Sequence, residues 1–289
     1  MDEQICTTGV ECCGGVAGVD AGGYPVETTG NAVLDILEHR SSTRAFACDD
    51  NDRPVAVTDE QRAAILHAAS RAPSAGALMM YSIVSIREQA TLDRLADLCD
   101  HQPMIAKAPW ALIFVVDYAK WIDLFEHVGC FELEFVERTG KSPRRAPGLG
   151  DFAIAAQDAV IAAQNAVVAA EALGLGSCYI GDIVENAEEV AALLDLPPYT
   201  MPLSMLIIGT PRKERPAIAH SVVNLVHEER YRRADAATMD AQVTEMDAMF
   251  RPHAREVGER VVDIYTRKHT SPFMAEMSRS MEWWFKNWL

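Results

Sequence analysis

Apolar residues follow two spacings along the chain, and these predict an alternation of helices and short strands. Where apolar side chains recur every three or four positions, as at Leu92, Leu95 and Leu98, the spacing predicts a helix with one buried face. Short uninterrupted apolar runs, of which residues 110–116 are the clearest, predict strands buried on both faces. In chain order, the pattern predicts helices over 31–39, 58–70, 89–100, 119–139, 151–173 and 186–194, and strands over 81–86, 110–116, 177–180 and 203–208. The chain is therefore predicted to be α+β, with helices outnumbering strands.

Two of the predicted helices carry recognisable start signals. Asn31 is a favoured N-cap residue directly before the first apolar run. Thr58 is followed three residues later by Gln61, which is the spacing of a capping box. Beyond Tyr231 the pattern is helical or extended, and it ends in an aromatic tail at 283–288.

The predicted helix over 151–173 is the longest apolar segment. Gln157, Gln164 and Glu171 recur every seven residues and so lie along one stripe, while most other positions are Ala, Ile or Val. Because polar residues interrupt the run, we interpret it as a buried helix of a soluble protein and not as a membrane span. A helix that is apolar almost all round must be buried almost all round, which predicts packing on its own sheet and on a second subunit.

Charge and cysteine usage exclude several classes of protein. The formal net charge of -16 argues against a nucleic-acid partner, because phosphate backbones require a basic face. The first residues are acidic and contain no apolar leader, so the expected compartment is the cytoplasm. The seven cysteines are scattered, which does not suggest a disulfide framework. Cys6, Cys12 and Cys13 lie close together, but no metal site is predicted because they form no C-x-x-C pair and no histidine is near.

Four segments could bind a ligand, and three of them also have a simpler structural explanation. Residues 40–44 hold two arginines and three hydroxyls, which either bind an anion or form a solvated helix end. Residues 73–76 either allow close backbone approach to a ligand or simply end a helix. The basic cluster at 212–216 is either a phosphate or carboxylate site or a solvated loop. Residues 174–182 lack the G-x-G-x-x-G spacing and follow a helix, so a classical dinucleotide site is not predicted.

Taken in order, these segments resemble the motifs of the nitroreductase family of flavoenzymes. The resemblance is closest to the NADPH nitroreductase and flavin reductase branch, whose motifs read HRSIR, AAESLGLG-x-YIGG, and K-P-R-L-P followed by VHE-x-x-Y. This chain reads HRSSTR at 39–44, AAEALGLGSCYIGD at 169–182, KERP at 213–216 and VHEERY at 226–231. No single motif is specific, but the ordered set covers about residues 31–232.

The resemblance implies a fold, an assembly and a division of the chain. The implied fold is a central, mostly antiparallel sheet surrounded by helices, in an interlocked homodimer with FMN bound at the subunit interface. Residues 1–28 are rich in Gly, Thr and small residues, and this composition predicts a flexible arm containing Cys and Gly. Residues 29–232 would be the FMN-binding domain, and residues 233–289 a helical extension that packs on the partner subunit.

The resemblance also assigns residues to the flavin. The first arginine motif and the later basic cluster would hold the FMN phosphate and ribityl end, and Arg44 would lie near the N1–C2 edge. Gln102 would hydrogen-bond the pyrimidine edge, and Gly181 and Asp182 would present a backbone N–H to flavin N5, while residues 73–76 would come from the neighbouring subunit. No side chain is identified as a certain catalytic group. The implied cofactor-binding set is Arg40, Ser41, Ser42, Arg44, Pro73, Ser74, Gly76, Gln102, Tyr179, Ile180, Gly181, Asp182, Lys213 and Arg215.

The sequence departs from the family pattern at three places. Many members read P-S-x-x-N-x-Q-P-W where this chain reads PSAGALMMY at 73–81, so the substrate face loses two polar side chains. Asp182 stands where the close branch has glycine, and its carboxylate would either disfavour reduced, anionic flavin or donate a proton. The first motif is one residue longer than HRSIR, and residues 40–46 align without a gap to R-H-S-T-K-A-F of the smaller branch.

The activity implied by the resemblance is an FMN-dependent oxidoreduction. NADH or NADPH would deliver hydride to FMN and leave, and a small-molecule acceptor such as a nitroaromatic, quinone or flavin would then be reduced in the same groove in a ping-pong cycle. Two alternatives remain open. One is a flavoenzyme of the same fold with another redox reaction, such as dehalogenation or dehydrogenation, and the other is a flavin-binding redox sensor that does not turn over.

Overall fold

The computed structural model describes residues 29–141, 145–213, 224–251, 253 and 255–289. The predicted arm at 1–28 and the predicted ligand Arg215 lie outside the described residues. The strands are β1 (Tyr81–Ile86), β2 (Trp110–Asp117), β3 (Gly176–Ile180) and β4 (Thr200–Gly209). The α-helices are α1 (Ala32–His39), α2 (Asp59–Ser70), α3 (Gln89–Leu98), α4 (Pro103–Ala106), α5 (Ala119–His127), α6 (Leu133–Thr139), α7 (Leu149–Ala172), α8 (Ala187–Leu193), α9 (Ala236–Phe250), α10 (Glu259–Ile264) and α11 (Pro272–Phe285).

The four strands form one antiparallel sheet in the order β1-β2-β4-β3. β2 is an inner strand, and its side chains alternate between the two faces of the sheet. Leu112 and Phe114 pack with α2 and α7, whereas Ile113 and Val115 pack with α3, α8 and α11. The α+β class, the mostly antiparallel sheet and the double-sided burial of the strand at 110–116 are confirmed.

The start signals that the sequence carries at two helices are confirmed. The side chain of Asn31 accepts hydrogen bonds from the backbone N–H groups of Val33 and Leu34. Thr58 and Gln61 form the complete capping box at the start of α2. These contacts span only two or three residues, which is why the sequence alone could identify them.

The single helix predicted over 119–139 is wrong, because the chain forms two helices there. α5 ends at His127 and α6 begins at Leu133. Between them Gly129 has a φ of 74°, a left-handed conformation that a right-handed helix cannot contain. The apolar spacing continues across this glycine, but the backbone turns there.

The aromatic tail packs on its own subunit, which differs from the expectation that it embraces a partner. Trp284 and Trp288 are both only 3% exposed and belong to the core beside α3 and α8. The indole N–H of Trp284 donates to the carbonyl of Val184 at 2.9 Å, and the ring of Trp288 packs edge-on against Phe152 and Tyr199. Burying two large aromatic rings in this core is more favourable than leaving them exposed to contact a partner. Packing of residues 233–271 on a partner stays a prediction.

One side of α7 faces the sheet and the other remains uncovered. Its most apolar window has a mean hydropathy of 1.4, long and apolar enough to cross a membrane by composition, and 39% of that window is buried within the chain. Residues such as Ala162 and Ala166 pack on the sheet. Ile154, Val160 and Ile161 lie on the exposed side. Within one chain, α7 is therefore buried on one side only, whereas the sequence predicts burial almost all round.

Candidate functional site

The arginine motif at 40–44 runs beside the edge strand β3. The backbone N–H of Thr43 donates to the carbonyl of Ser177 at 2.8 Å, and Ser42 pairs with Ser177 in a parallel bridge. Gly176 makes this approach possible, because a Cβ atom there would lie 2.2 Å from the Thr43 Oγ1 atom. The segment therefore depends on a glycine to sit against the sheet.

The same segment continues along the end of β4, and this brings the second basic motif to it. The N–H of Ala47 donates to the carbonyl of Thr210 at 2.8 Å, and the N–H of Arg212 donates to the carbonyl of Ala45 at 3.0 Å. Arg44 and Arg212 thereby line one cavity of about 610 Å³. That volume lies within the usual range of small-molecule sites, roughly 300–1,000 Å³.

The cavity is positively charged in a strongly acidic protein. Arg44, Lys107 and Arg212 line it, and their side chains form no hydrogen bond or ion pair with any residue in the described part of the chain. Phe46 and Met104 supply apolar surface between them. A cavity of this kind favours a ligand that combines an apolar body with an anionic group.

A short helical turn, Gly181–Val184, follows β3 and forms another border of the region. A Cβ atom built on Gly181 would meet no heavy atom within 4 Å, so a planar ligand could lie against this backbone. The side-chain amide of Gln102 donates to the carboxylate of Asp182. Gln102 directly precedes α4, whose residues Pro103 and Met104 line the cavity.

Arg40 faces the polar stripe of α7. Burial raises the pKa of Glu171 to about 7 and the pKa of Tyr179 to about 12, and the charge of Arg40 opposes both shifts. Among the described residues, the buried Oε1 atom of Glu171 has no hydrogen-bond partner. The hydroxyl of Tyr179 donates to Gln164 at 3.4 Å, so the predicted stripe does face the strand that carries the site.

The loop at 73–80 is fixed to α7 through one buried carboxylate. Asp158 is 2% exposed, and it accepts from the backbone N–H groups of Ala75 at 3.0 Å and Met80 at 3.2 Å. Ala77 and Met79 have φ values of 58° and 49°, which are left-handed and unfavourable for residues with a side chain. The loop is thus held in a strained shape by contacts distant in sequence.

The structure joins most of the predicted site residues. Those at β3, in the segment beside it or at the turn after it are Arg40, Ser41, Ser42, Arg44, Gln102, Tyr179, Ile180, Gly181 and Asp182. Of these, only Arg44 lines the cavity, and Lys213 directly follows Arg212, which also lines it. Pro73, Ser74 and Gly76 are not among the residues that line the cavity within one chain.

Three of the cavity's cations are absent from the predicted set, and one of them, Arg53, forms an ion pair with Asp49. Arg212 stands next to Lys213 in the basic cluster and could have been included on that ground. Lys107 carries no motif signal, and only its position at the end of α4 brings it to the cavity.

With this geometry in place, comparison with known proteins identifies the class. Residues 37–210 match the family model described as the nitroreductase family, and the chain belongs to this family. The resemblance inferred from the sequence motifs is therefore confirmed.

Individual relatives agree with that class. The chain is 32% identical to the FMN reductase [NAD(P)H] of Bacillus subtilis over 73% of this chain and 79% of that protein. It is 32% identical to the oxygen-insensitive NADPH nitroreductase of Salmonella typhimurium over 73% of this chain and 81% of that protein. Among solved structures, the hypothetical oxidoreductase YcnD of Bacillus subtilis matches with a TM-score of 0.68 at 26% identity, covering 86% of this chain and 97% of that one.

Proposed function

We propose that this protein is an NAD(P)H-dependent FMN oxidoreductase that reduces nitroaromatic, quinone or flavin-type acceptors by a ping-pong cycle. The observation that carries the proposal is that two basic motifs, at 40–44 and 212–213, meet at the start of β3, the strand that leads into the open backbone turn at Gly181. The names of the curated relatives at 32% identity, an FMN reductase and an NADPH nitroreductase, support it.

The donor set of the site fits FMN. Arg40, Ser42 and Lys213 would hold the phosphate and ribityl chain, together with Arg215. The Gly181 backbone is open to a planar ring on the side where a Cβ atom would stand. When bound, FMN supplies the two-electron chemistry, because it accepts hydride from a nicotinamide and passes it to a second substrate. The protein supplies orientation and electrostatics.

Arg44 has the clearest electrostatic task. It lines the cavity and forms no ion pair with another described residue, so its charge remains available to a ligand. Placed at the N1–C2 edge, a guanidinium stabilises the negative charge that hydride transfer brings to the site. Gln102 already donates to Asp182, so its amide would be shared between that carboxylate and the pyrimidine edge.

The assembly proposed is a homodimer built over α7 and α1. Val160 on α7 is 48% exposed, and α1, which contacts α7, carries the uncovered Leu34 and Leu37. Uncovered apolar side chains on two packed helices are typical of an interface. In the dimer, residues 73–76 of one subunit would complete the flavin groove of the other.

Sedimentation of the purified protein tests the assembly. We expect twice the chain mass of 31.7 kDa for the wild type, and a shift toward the single-chain mass for Val160→Asp, because an unpaired carboxylate in an apolar interface is costly. Asp123→Asn, an exposed change on α5, is the control and should leave the mass unchanged. A wild type that sediments as one chain would contradict the proposal.

Anaerobic reduction tests the function itself. The purified protein should be yellow, and NADH or NADPH should bleach the flavin absorbance in the absence of oxygen. Adding a quinone or a nitroaromatic should then restore the absorbance, because the second substrate reoxidises the same cofactor. The proposal fails if no FMN is bound, or if bound FMN bleaches with neither donor.

One observation keeps a second reaction open. Leu78 and Met79 are exposed apolar residues in the loop where many family members carry Asn and Gln. A groove with this apolar face would favour less polar substrates, as in dehalogenation or ring dehydrogenation. A screen of acceptors with the reduced enzyme separates these reactions from nitro and quinone reduction.

The proposed compartment is the cytoplasm, with neither nucleic acid nor membrane as a partner.

A further inference from the structure

Glu185 is a buried carboxyl group directly after the turn that borders the site. Its backbone N–H donates to the carbonyl of Asp182 at 3.0 Å, so the two residues belong to one turn. The residue is only 3% exposed, and within the described chain its Oε1 atom has no hydrogen-bond partner. A buried carboxyl oxygen without a donor is unfavourable when the group is ionised.

The charges around Glu185 make ionisation harder still. Asp182 comes from its own turn, Asp100 follows α3, and Glu276 comes from α11, so negative groups face it from three elements. The Cys99 thiol also lies close enough to interact with it. Lys268, from the segment before α11, is the opposing cation.

Arg279 forms ion pairs with Glu276 and Glu188, so it offsets part of the Glu276 charge but does not pair with Glu185 itself. Burial first, and the three carboxylates next, raise the pKa of Glu185 to about 7. Near neutral pH, Glu185 can therefore gain or lose a proton in response to a small change in local charge.

Asp182 connects Glu185 to the site. The Asp182 carboxylate accepts from Gln102, which adjoins the cavity, while Asp182 also interacts electrostatically with Glu185. Added negative charge near Gly181 and Asp182 would therefore repel the ionised Glu185 carboxylate more strongly. This repulsion favours protonation of Glu185.

We propose that Glu185 is a positioning residue that stores one proton for the redox cycle and acts on the cofactor through Asp182; the inference rests on the proposed function. In the first half-reaction the nicotinamide donor loses a hydride, the site gains one negative charge, and a solvent proton adds to the Glu185 carboxylate. In the second, the acceptor takes the hydride and a proton from the medium, and Glu185 releases its stored proton. Hydrogens, electrons and charge balance without a further reactant.

Proton uptake during reduction tests this inference directly. A pH indicator in weakly buffered, anaerobic solution near pH 7 should show wild-type protein taking up a proton as NADPH or NADH bleaches the flavin. Glu185→Gln should bleach but lose most of that uptake, because the amide cannot titrate. Glu185→Asp retains the carboxyl and should restore much of the uptake. Glu189→Gln, an exposed carboxyl on α8, is the matched control and should behave as wild type.

A second measurement does not depend on the flavin. Because the folded-state pKa of Glu185 is raised, its contribution to stability is full below the ordinary glutamate range and is lost as the pH rises through about 7. The Tm of Glu185→Gln relative to wild type should therefore increase between pH 5 and pH 8. Equal proton uptake by wild type and Glu185→Gln, or a Tm difference that does not vary with pH, overturns the inference. A protein without FMN overturns the proposed function instead, and its spectrum shows this beforehand.

Discussion

Gly176→Ala is expected to release FMN and to destabilise the protein by about 1–3 kcal/mol, the usual cost of overpacking. The new Cβ atom would lie 2.2 Å from Thr43 Oγ1, 2.7 Å from Thr43 Cβ and 3.0 Å from Pro211 Cγ. Relief requires the segment at 40–46 to move off β3, which breaks the hydrogen bond from Thr43 to Ser177. The arginines of that segment would then lose their position beside β3.

The flavin-to-protein absorbance ratio and the Tm measure this effect. Gly150→Ala is the matched control, because a Cβ atom there would meet nothing within 4 Å. Gly150 lies in the first turn of α7, where alanine is the better helix former, so the control should keep its flavin and its stability. If Gly176→Ala retains FMN at the wild-type ratio, the 40–46 segment does not hold the cofactor.

Asp158→Ala should lower stability by about 2–5 kcal/mol, because it leaves two backbone N–H groups without their acceptor. These are the groups of Ala75 and Met80, and the whole loop between them is tied to α7 by this one side chain. The left-handed Ala77 and Met79 would relax once the tie is lost. Since the loop is proposed to complete the partner's groove, acceptor reduction should fall with stability.

Two further substitutions distinguish the hydrogen-bond acceptor role of the Asp158 carboxylate from the effect of its side-chain volume. Asp158→Asn keeps one acceptor oxygen but turns an amide N–H₂ toward the second donor, so it should lie between wild type and alanine. Asp123→Ala removes an exposed carboxylate on α5 and should have little effect. Chemical denaturation of the three variants measures the order. Equal stability of Asp158→Ala and Asp123→Ala would show that the loop does not depend on Asp158.

The sequence predicted those features that depend on a few neighbouring residues. The caps at Asn31 and Thr58 involve contacts across two or three positions, and the strand at 110–116 is a local run of apolar side chains. The two basic motifs were also visible locally. The spacing of residues along the chain does not indicate that these motifs meet around one cavity, because their meeting depends on β3 and β4 pairing at the sheet edge. The family resemblance was what implied it.

Features that depend on residues distant in sequence could not be predicted from local patterns. In the sequence, Asp158 is only a polar interruption of an apolar helix, yet its hydrogen-bond partners lie 78 and 83 positions away. The break at Gly129 is not predictable from the spacing of apolar residues, because that spacing carries no information about the backbone φ angle. The family resemblance implied that the tail packs on a partner, and the pattern of residues could not show that Trp284 instead bonds Val184, 100 positions earlier in the same chain.

The position of Trp284 and Trp288 in the core bears on how the chain folds during synthesis. The sheet is complete once Gly209 has emerged from the ribosome, but the face that the two indoles cover stays open for roughly 80 more residues. At translation rates of roughly 5–20 residues per second, this is an interval of about 4–16 s. During that time the apolar surface around Phe152 and Tyr199 is a target for chaperones or for premature association with another nascent chain.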